Sequence, residues 1–147
     1  MKINVEADLC RGCEACALVC SLLHEGESKP LLSRVMVQKD MANFKFNIVI
    51  CQHCQEDGEI PECMQACPNE SIRLDERGVV MIYQDECLQC GACAAECPHH
   101  AIFYNNQTVQ SFKCDLCAAN GSSPACVEIC PVEALTIRIE AVPGGVK

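Results

Sequence analysis

The sequence contains no tryptophan, and aromatic residues make up only 4% of its 147 residues. Large side chains for a conventional hydrophobic core are therefore scarce. Basic residues are also few, with 11 lysines and arginines against 20 acidic residues and a formal net charge of −9. Binding to nucleic acids or to anionic membranes needs clustered positive charge, so we expect neither nucleic acid nor a membrane surface as a partner.

Long apolar segments are absent as well. The stretches NIVIC and ACALVC are far shorter than the roughly 18 residues that a membrane span needs, so no direct membrane anchor is expected. The first residues, MKINVEADLC, contain neither the apolar segment nor the cleavage site of a secretory signal. We therefore expect a cytoplasmic location.

Cysteine, by contrast, is abundant, with 16 residues. Disulfide scaffolds reach this density mainly in small secreted domains, whereas in a reducing compartment it indicates metal ligands. The cysteines form four groups of four, which in chain order are Cys10, Cys13, Cys16, Cys20; Cys51, Cys54, Cys63, Cys67; Cys87, Cys90, Cys93, Cys97; and Cys114, Cys117, Cys126, Cys130.

The spacing within these groups is typical of iron–sulfur ligands. Groups one and three read CxxCxxCxxxC, and groups two and four read CxxC, eight residues and CxxxC. A proline follows the last cysteine of groups two, three and four. In bacterial ferredoxins such a run binds 4Fe–4S clusters, and its fourth cysteine binds the neighbouring cluster. CxxC pairs also build zinc sites, but those rarely use CxxCxxC. The sequence therefore predicts four 4Fe–4S clusters.

The two spacing types alternate along the chain, which predicts a duplicated unit. Between groups two and three, the strand candidates Ser71–Leu74 and Val79–Tyr83 flank a turn at Gly78, which predicts a hairpin. This is the layout of a two-cluster ferredoxin. Groups two and three are thus predicted to form one module over residues 45–104. Groups one and four then form a second module from 1–30 and 105–147, with 31–44 as an insertion.

This nested pairing gives each cluster three cysteines of one group and the last cysteine of the partner group. The predicted sets are Cys10, Cys13, Cys16 with Cys130; Cys114, Cys117, Cys126 with Cys20; Cys51, Cys54, Cys63 with Cys97; and Cys87, Cys90, Cys93 with Cys67. Sequential pairing, of group one with two and of three with four, is the alternative.

The predicted fold class is α+β, with two fused ferredoxin-like modules built around the clusters. The other predicted elements are short: helical turns at Glu14–Leu23, Ala92–Glu96 and Ala125–Ile129, and strands at Asn4–Glu6, Arg34–Lys39, Lys45–Ile50, Ala101–Tyr104 and Leu135–Ile139. Ser21 stands where a proline would follow group one, so the first helix is free to continue through Leu23.

The four groups, with the segments KCDLC at 113–117 and PACVEICP at 124–131, resemble the four-cluster ferredoxin-like subunits of complex iron–sulfur oxidoreductases. Such subunits serve molybdenum and tungsten enzymes, including formate dehydrogenases and aldehyde ferredoxin oxidoreductases, and some hydrogenases and carbon monoxide dehydrogenases. The resemblance implies a non-catalytic electron relay between a large catalytic subunit and an acceptor. A further redox subunit or self-association would complete the partners.

Two other functions remain open: a freely diffusing polyferredoxin that serves several enzymes, and a non-redox zinc or assembly protein. The remaining candidate residues are the four histidines, which we expect at the surface or beside ligands, tuning hydrogen bonds: His24, His53, His99 and His100. The acidic run at 56–59 is expected to be a solvated loop, with docking as the alternative.

Overall fold

The described part of the chain folds into four short α-helices and eight short strands. The computed structural model describes residues 1–55 and 58–139; two residues of the acidic run, Glu56 and Asp57, and the end of the chain from residue 140 lie outside this part. The helices are α1 Ala15–Glu25, α2 Glu62–Gln65, α3 Ala92–Glu96 and α4 Ala125–Ile129. The strands are β1 Lys2–Val5, β2 Val35–Asp40, β3 Lys45–Ile50, β4 Ile72–Leu74, β5 Val80–Ile82, β6 Phe103–Asn105, β7 Gln110–Phe112 and β8 Leu135–Arg138.

All strand pairs in the described part are antiparallel and two-stranded. Three of them join consecutive strands: β2 with β3, β4 with β5, and β6 with β7. The fourth joins β1 to β8, with Lys2 opposite Arg138 and Val5 opposite Leu135. This pair holds the first and last described segments of the chain together.

The hairpin predicted between groups two and three is present. Its strands are β4 and β5, and Leu74 lies opposite Val80. Asp75 closes the turn, because its Oδ1 accepts the backbone N–H groups of Arg77 and Val79 at 2.9 Å each. Gly78 supplies the positive φ, +74°, that the turn needs.

Each helix begins one residue before the third cysteine of its group. Three of the helices end before the fourth cysteine, whereas α1 runs past Cys20 to Glu25, as the absence of proline at position 21 predicts. The buried Ser21 hydroxyl donates to the Leu18 carbonyl at 3.0 Å and accepts the Lys29 backbone N–H at 2.9 Å. Ser21 thereby joins the helix to the segment that follows it.

The core consists of cysteines and aliphatic side chains from the short strands. Ile3 and Leu135 from the β1–β8 pair are 1% exposed, as are Val35 of β2 and Val80 of β5. The fold is thus a small mixed helix and strand structure. No helix in the described residues is long and apolar enough to cross a membrane.

Candidate metal centres

Three cavities inside the protein are each lined by four cysteines. In each case three cysteines come from one group and the fourth comes from another. The lining cysteines are Cys51, Cys54, Cys63 and Cys97 in the first cavity; Cys67, Cys87, Cys90 and Cys93 in the second; and Cys20, Cys114, Cys117 and Cys126 in the third.

The remaining four cysteines also lie together. Burial and the negative charges of three neighbouring cysteines, Cys10, Cys13 and Cys130, together raise the pKa of the Cys16 thiol to about 11. Such an electrostatic effect requires the four sulfur atoms to be close in space. Cys130 therefore lies beside Cys16, although the two are far apart in sequence.

The loop after the first cysteine of each group has one repeated geometry. The Sγ of this cysteine accepts the backbone N–H of the residue two positions later at 3.4 Å in all four groups. That residue has a positive φ each time, and the four are Gly12, His53, Gln89 and Leu116. A positive φ turns the N–H back onto the sulfur, so the loop is shaped to stabilise a thiolate.

Gly12→Ala is expected to cost about 3 kcal/mol of stability, because of overpacking and left-handed strain together. Gly12 has φ +68°, and a Cβ there would lie 2.6 Å from two ring atoms of Phe46. Gly26→Ala is the matched control, since Gly26 has φ +73° and open space around it. It should cost only about 1 kcal/mol. Denaturant unfolding under anaerobic conditions measures both; equal midpoints for the two variants would contradict the expectation.

The last cysteine of three groups has a second repeated geometry. The Sγ atoms of Cys67, Cys97 and Cys130 accept the backbone N–H of the residue four positions later at 3.2, 3.4 and 3.3 Å. The proline after each of these cysteines ends the helix, and a residue with positive φ precedes the donor: Glu70, His100 and Glu133. These sulfur atoms are thus also arranged to carry negative charge.

Cys20 cannot use this geometry, because it lies within α1. Its Sγ instead accepts the backbone N–H of Arg34 at 3.3 Å, from the predicted insertion 31–44. The backbone N–H of Arg34 therefore replaces the hydrogen bond that helix continuation removes.

A cluster of charged side chains also lies beside Cys20. His24 Nε2 lies 3.0 Å from Asp115 Oδ1, and Arg34 Nη1 lies 3.1 Å from Asp115 Oδ2. Burial alone would lower the pKa of His24, but hydrogen bonds with Asp115 and Cys20 raise it to about 10. Burial would raise the pKa of Asp115, but His24 and Arg34 lower it to about 2. At any pH between these two pKa values, both His24 and Asp115 are charged.

Lys113 and His53 form a second polar contact next to the cysteines. The Lys113 ammonium donates to the carbonyl oxygens of Val80 and, at 2.9 Å, Cys114. It lies 3.5 Å from His53 Nδ1. Burial and the Lys113 charge lower the pKa of His53 to about 3, so this imidazole is neutral at pH 7. Because an ammonium only donates, Nδ1 accepts and the proton of His53 resides on Nε2.

The four histidines considered in the sequence analysis thus divide into two pairs. His24 and His53 lie beside cysteines, while His99 and His100 are exposed. Lys113, Arg34 and Asp115 are the charged neighbours of the cysteines that sequence reasoning did not single out. The segment KCDLC placed two of them next to ligands, but their partners lie far away along the chain.

The donor set fits multinuclear clusters with thiolate ligands. Burial raises the pKa of the Cys63 and Cys114 thiols to about 12, so these sulfur atoms lose their protons only beside a positive group such as iron. His53 lines the first cavity, and its Nε2 is buried without a hydrogen-bond partner. Within residues 1–55 and 58–139, no three His, Cys, Asp or Glu side chains come close enough together to hold a single metal ion. Four cysteines, three from one group and one from another, are the ligands that a 4Fe–4S cluster requires.

Comparison with protein families matches residues 42–140 to the family described as the 4Fe-4S dicluster domain. The thiosulfate reductase electron transfer subunit PhsB of Salmonella typhi is 37% identical over 138 residues, a match that spans 86% of this chain and 69% of PhsB. The polyferredoxin-like subunit of the aliphatic sulfonate oxidoreductase of Pyrococcus furiosus is 35% identical over 129 residues, spanning 87% and 70% of the two chains.

A solved structure gives the same result. A chain of the active site complex BamBC of benzoyl coenzyme A reductase is 31% identical and superposes with a TM-score of 0.54, covering 91% of this chain and 76% of that one. The predicted resemblance and the prediction of 4Fe–4S clusters as cofactors are therefore confirmed. The chain belongs to the 4Fe-4S dicluster domain family, and it is an iron–sulfur electron-transfer protein.

Proposed function

We propose that the chain is a non-catalytic subunit that relays electrons through four 4Fe–4S clusters between a large catalytic subunit and an acceptor. The observation that carries this proposal is the grouping of the sixteen cysteines into four sets, three of them around cavities. A bound cluster exchanges one electron at a time, while the chain supplies thiolate ligands, hydrogen bonds and burial.

In this proposal the ligand sets follow the nested pairing, and each two-cluster module contains two of them. The module of 45–104 would hold the sets completed by Cys97 and Cys67. The module of 1–30 with 105–147 would hold the sets completed by Cys130 and Cys20. The cavities support this assignment, since in each of them the fourth cysteine comes from the partner group.

Exposure supports a linear order of the four sets. Cys13 and Cys90 are exposed, and they belong to different sets, whereas the other two sets contain only buried or half-buried cysteines. These two inner sets are neighbours, because the negative charge of Cys51 acts on Cys114 and raises the pKa of its thiol. Electrons would therefore enter or leave beside Cys13 and beside Cys90, and cross the protein through the inner sets.

The names of two relatives support a proposal about the kind of catalytic partner. PhsB is named as an electron transfer subunit of a thiosulfate reductase, and another relative is a component of the anaerobic dimethyl sulfoxide reductase of Escherichia coli, 30% identical over 146 residues. We propose a catalytic partner of the molybdenum or tungsten type in the cytoplasm, with a further redox subunit or a second copy of this chain as the other contact.

Anaerobic purification of the native protein from its host tests the proposal. We expect about 16 iron atoms and about 16 acid-labile sulfides per chain, and a large protein that copurifies at a fixed ratio. Zinc without sulfide would overturn the proposal. Full iron content without a partner at fixed ratio would favour the freely diffusing polyferredoxin instead. Treating the preparation with high salt before a second purification controls for non-specific association through the acidic surface.

A further inference from the structure

Lys113 is a buried cation with all of its hydrogen-bond donors in use. Its side chain is 4% exposed, and among the described residues it is the only buried lysine or arginine. An ammonium has three N–H donors, and Lys113 has three acceptors: the carbonyls of Val80 and Cys114, and His53 Nδ1. A neutral amine could donate to only two of them, so this environment is built for the charged form.

The position of Lys113 is between the two inner ligand sets. Val80 and His53 line the cavity of Cys51, Cys54, Cys63 and Cys97. Cys114, the next residue along the chain, belongs to the set completed by Cys20. The positive charge acts on both sets, since it favours the thiolate forms of Cys63 and Cys114. Lys113 also joins the two proposed modules, because it donates across to β5.

We propose that Lys113 is an internal counter-ion that raises the reduction potentials of the two inner clusters and so favours electron transfer between the modules. This inference rests on the proposed function. When an electron moves inward from an outer cluster, the outer cluster is oxidised, the inner one is reduced, and the negative charge beside Lys113 increases by one. The ammonium therefore stabilises the reduced state more than the oxidised state, and burial keeps solvent from screening the attraction.

The test is an EPR-monitored redox titration of the anaerobic four-cluster chain and its variants. Lys113→Gln removes the charge and keeps a hydrogen-bond donor. We expect two of the four clusters to lose at least about tenfold in their equilibrium preference for the reduced form, which is about 59 mV for one electron. The reduction preference of the other two clusters should change by less. Lys113→Arg retains the charge and should keep all four potentials within tenfold of the wild type.

Lys45→Gln is the matched control, because it removes the same charge from an exposed side chain. The proposal is overturned if Lys113→Gln, with full iron and sulfide, leaves all four potentials unchanged, or if Lys45→Gln produces the same shift. If Lys113→Gln loses clusters, the Lys113→Arg variant decides. With the charge intact, a tenfold fall in the preference of two clusters for the reduced form overturns the proposal, whereas potentials within tenfold of the wild type support it. A wild-type chain without 4Fe–4S clusters would instead contradict the proposed function itself.

Discussion

Anaerobic removal of iron with a chelator is expected to unfold the chain. Of the 24 buried apolar residues in the described part, nine are cysteines, so much of the core exists only when the sulfur atoms are held together. The strand pairs there have two strands each, and such pairs are marginally stable on their own in water. Metal-binding free energy is folding free energy in small domains of this kind.

The measurement is far-ultraviolet circular dichroism together with limited proteolysis, before and after chelation. We expect loss of the cooperative unfolding transition and cleavage throughout the chain. Restoring iron and sulfide under reducing conditions should recover both signals, which separates cluster loss from chemical damage. A chain that keeps its circular dichroism and its protease resistance without iron would show that the aliphatic residues suffice for folding.

Cys130→Ala is expected to damage the cluster proposed for Cys10, Cys13 and Cys16, more than a hundred residues earlier in the chain. The structure places Cys130 close enough to act electrostatically on the Cys16 thiol. Removing one of four ligands should cost that cluster one or all of its iron atoms and leave three clusters intact. Iron analysis and EPR of the reduced protein measure the loss.

Double variants distinguish nested from sequential pairing. In the nested arrangement, Cys13→Ala combined with Cys130→Ala affects one cluster, because both residues belong to the same set, so the loss is no greater than about four iron atoms. Cys90→Ala combined with Cys130→Ala affects two clusters. Sequential pairing gives the reverse result, since Cys130 would then belong with Cys90. Two affected clusters in the first pair and one in the second would refute the nested assignment.

Features controlled by neighbouring residues could be predicted from the sequence. The strand at Lys45–Ile50 and the helices at Ala92–Glu96 and Ala125–Ile129 have the predicted bounds, because cysteine spacing and proline fix where these segments turn. Proline at position 21 would have stopped α1, and serine there allows the helix to reach Glu25. The strand predicted at Ala101–Tyr104 begins two residues later, at Phe103, and β7 was not predicted.

Apart from the proposed pairing of the cysteine groups, contacts between distant residues could not be predicted. The pairing of β1 with β8 joins segments whose local patterns look like any other short strands. In the sequence, nothing distinguishes Lys113 from an ordinary surface lysine, because its acceptors Val80 and His53 lie 33 and 60 residues away. Similarly, His24 and Asp115 are 91 residues apart, and only the folded chain brings them together beside Cys20.

The pairing of β1 with β8 sets an order for biosynthesis. A ribosome makes the N-terminus first, at about 5–20 residues per second, so β1 waits on the order of ten seconds for its partner strand. The proposed sets completed by Cys97 and Cys67 are whole once residue 97 has emerged. The sets that need Cys130 or the cysteines around Cys114 are complete only when almost the whole described chain has been synthesised. In the proposed nested pairing, Cys10, Cys13 and Cys16 therefore remain without their fourth ligand until Cys130 has been synthesised, and the cluster of that set forms only after this point.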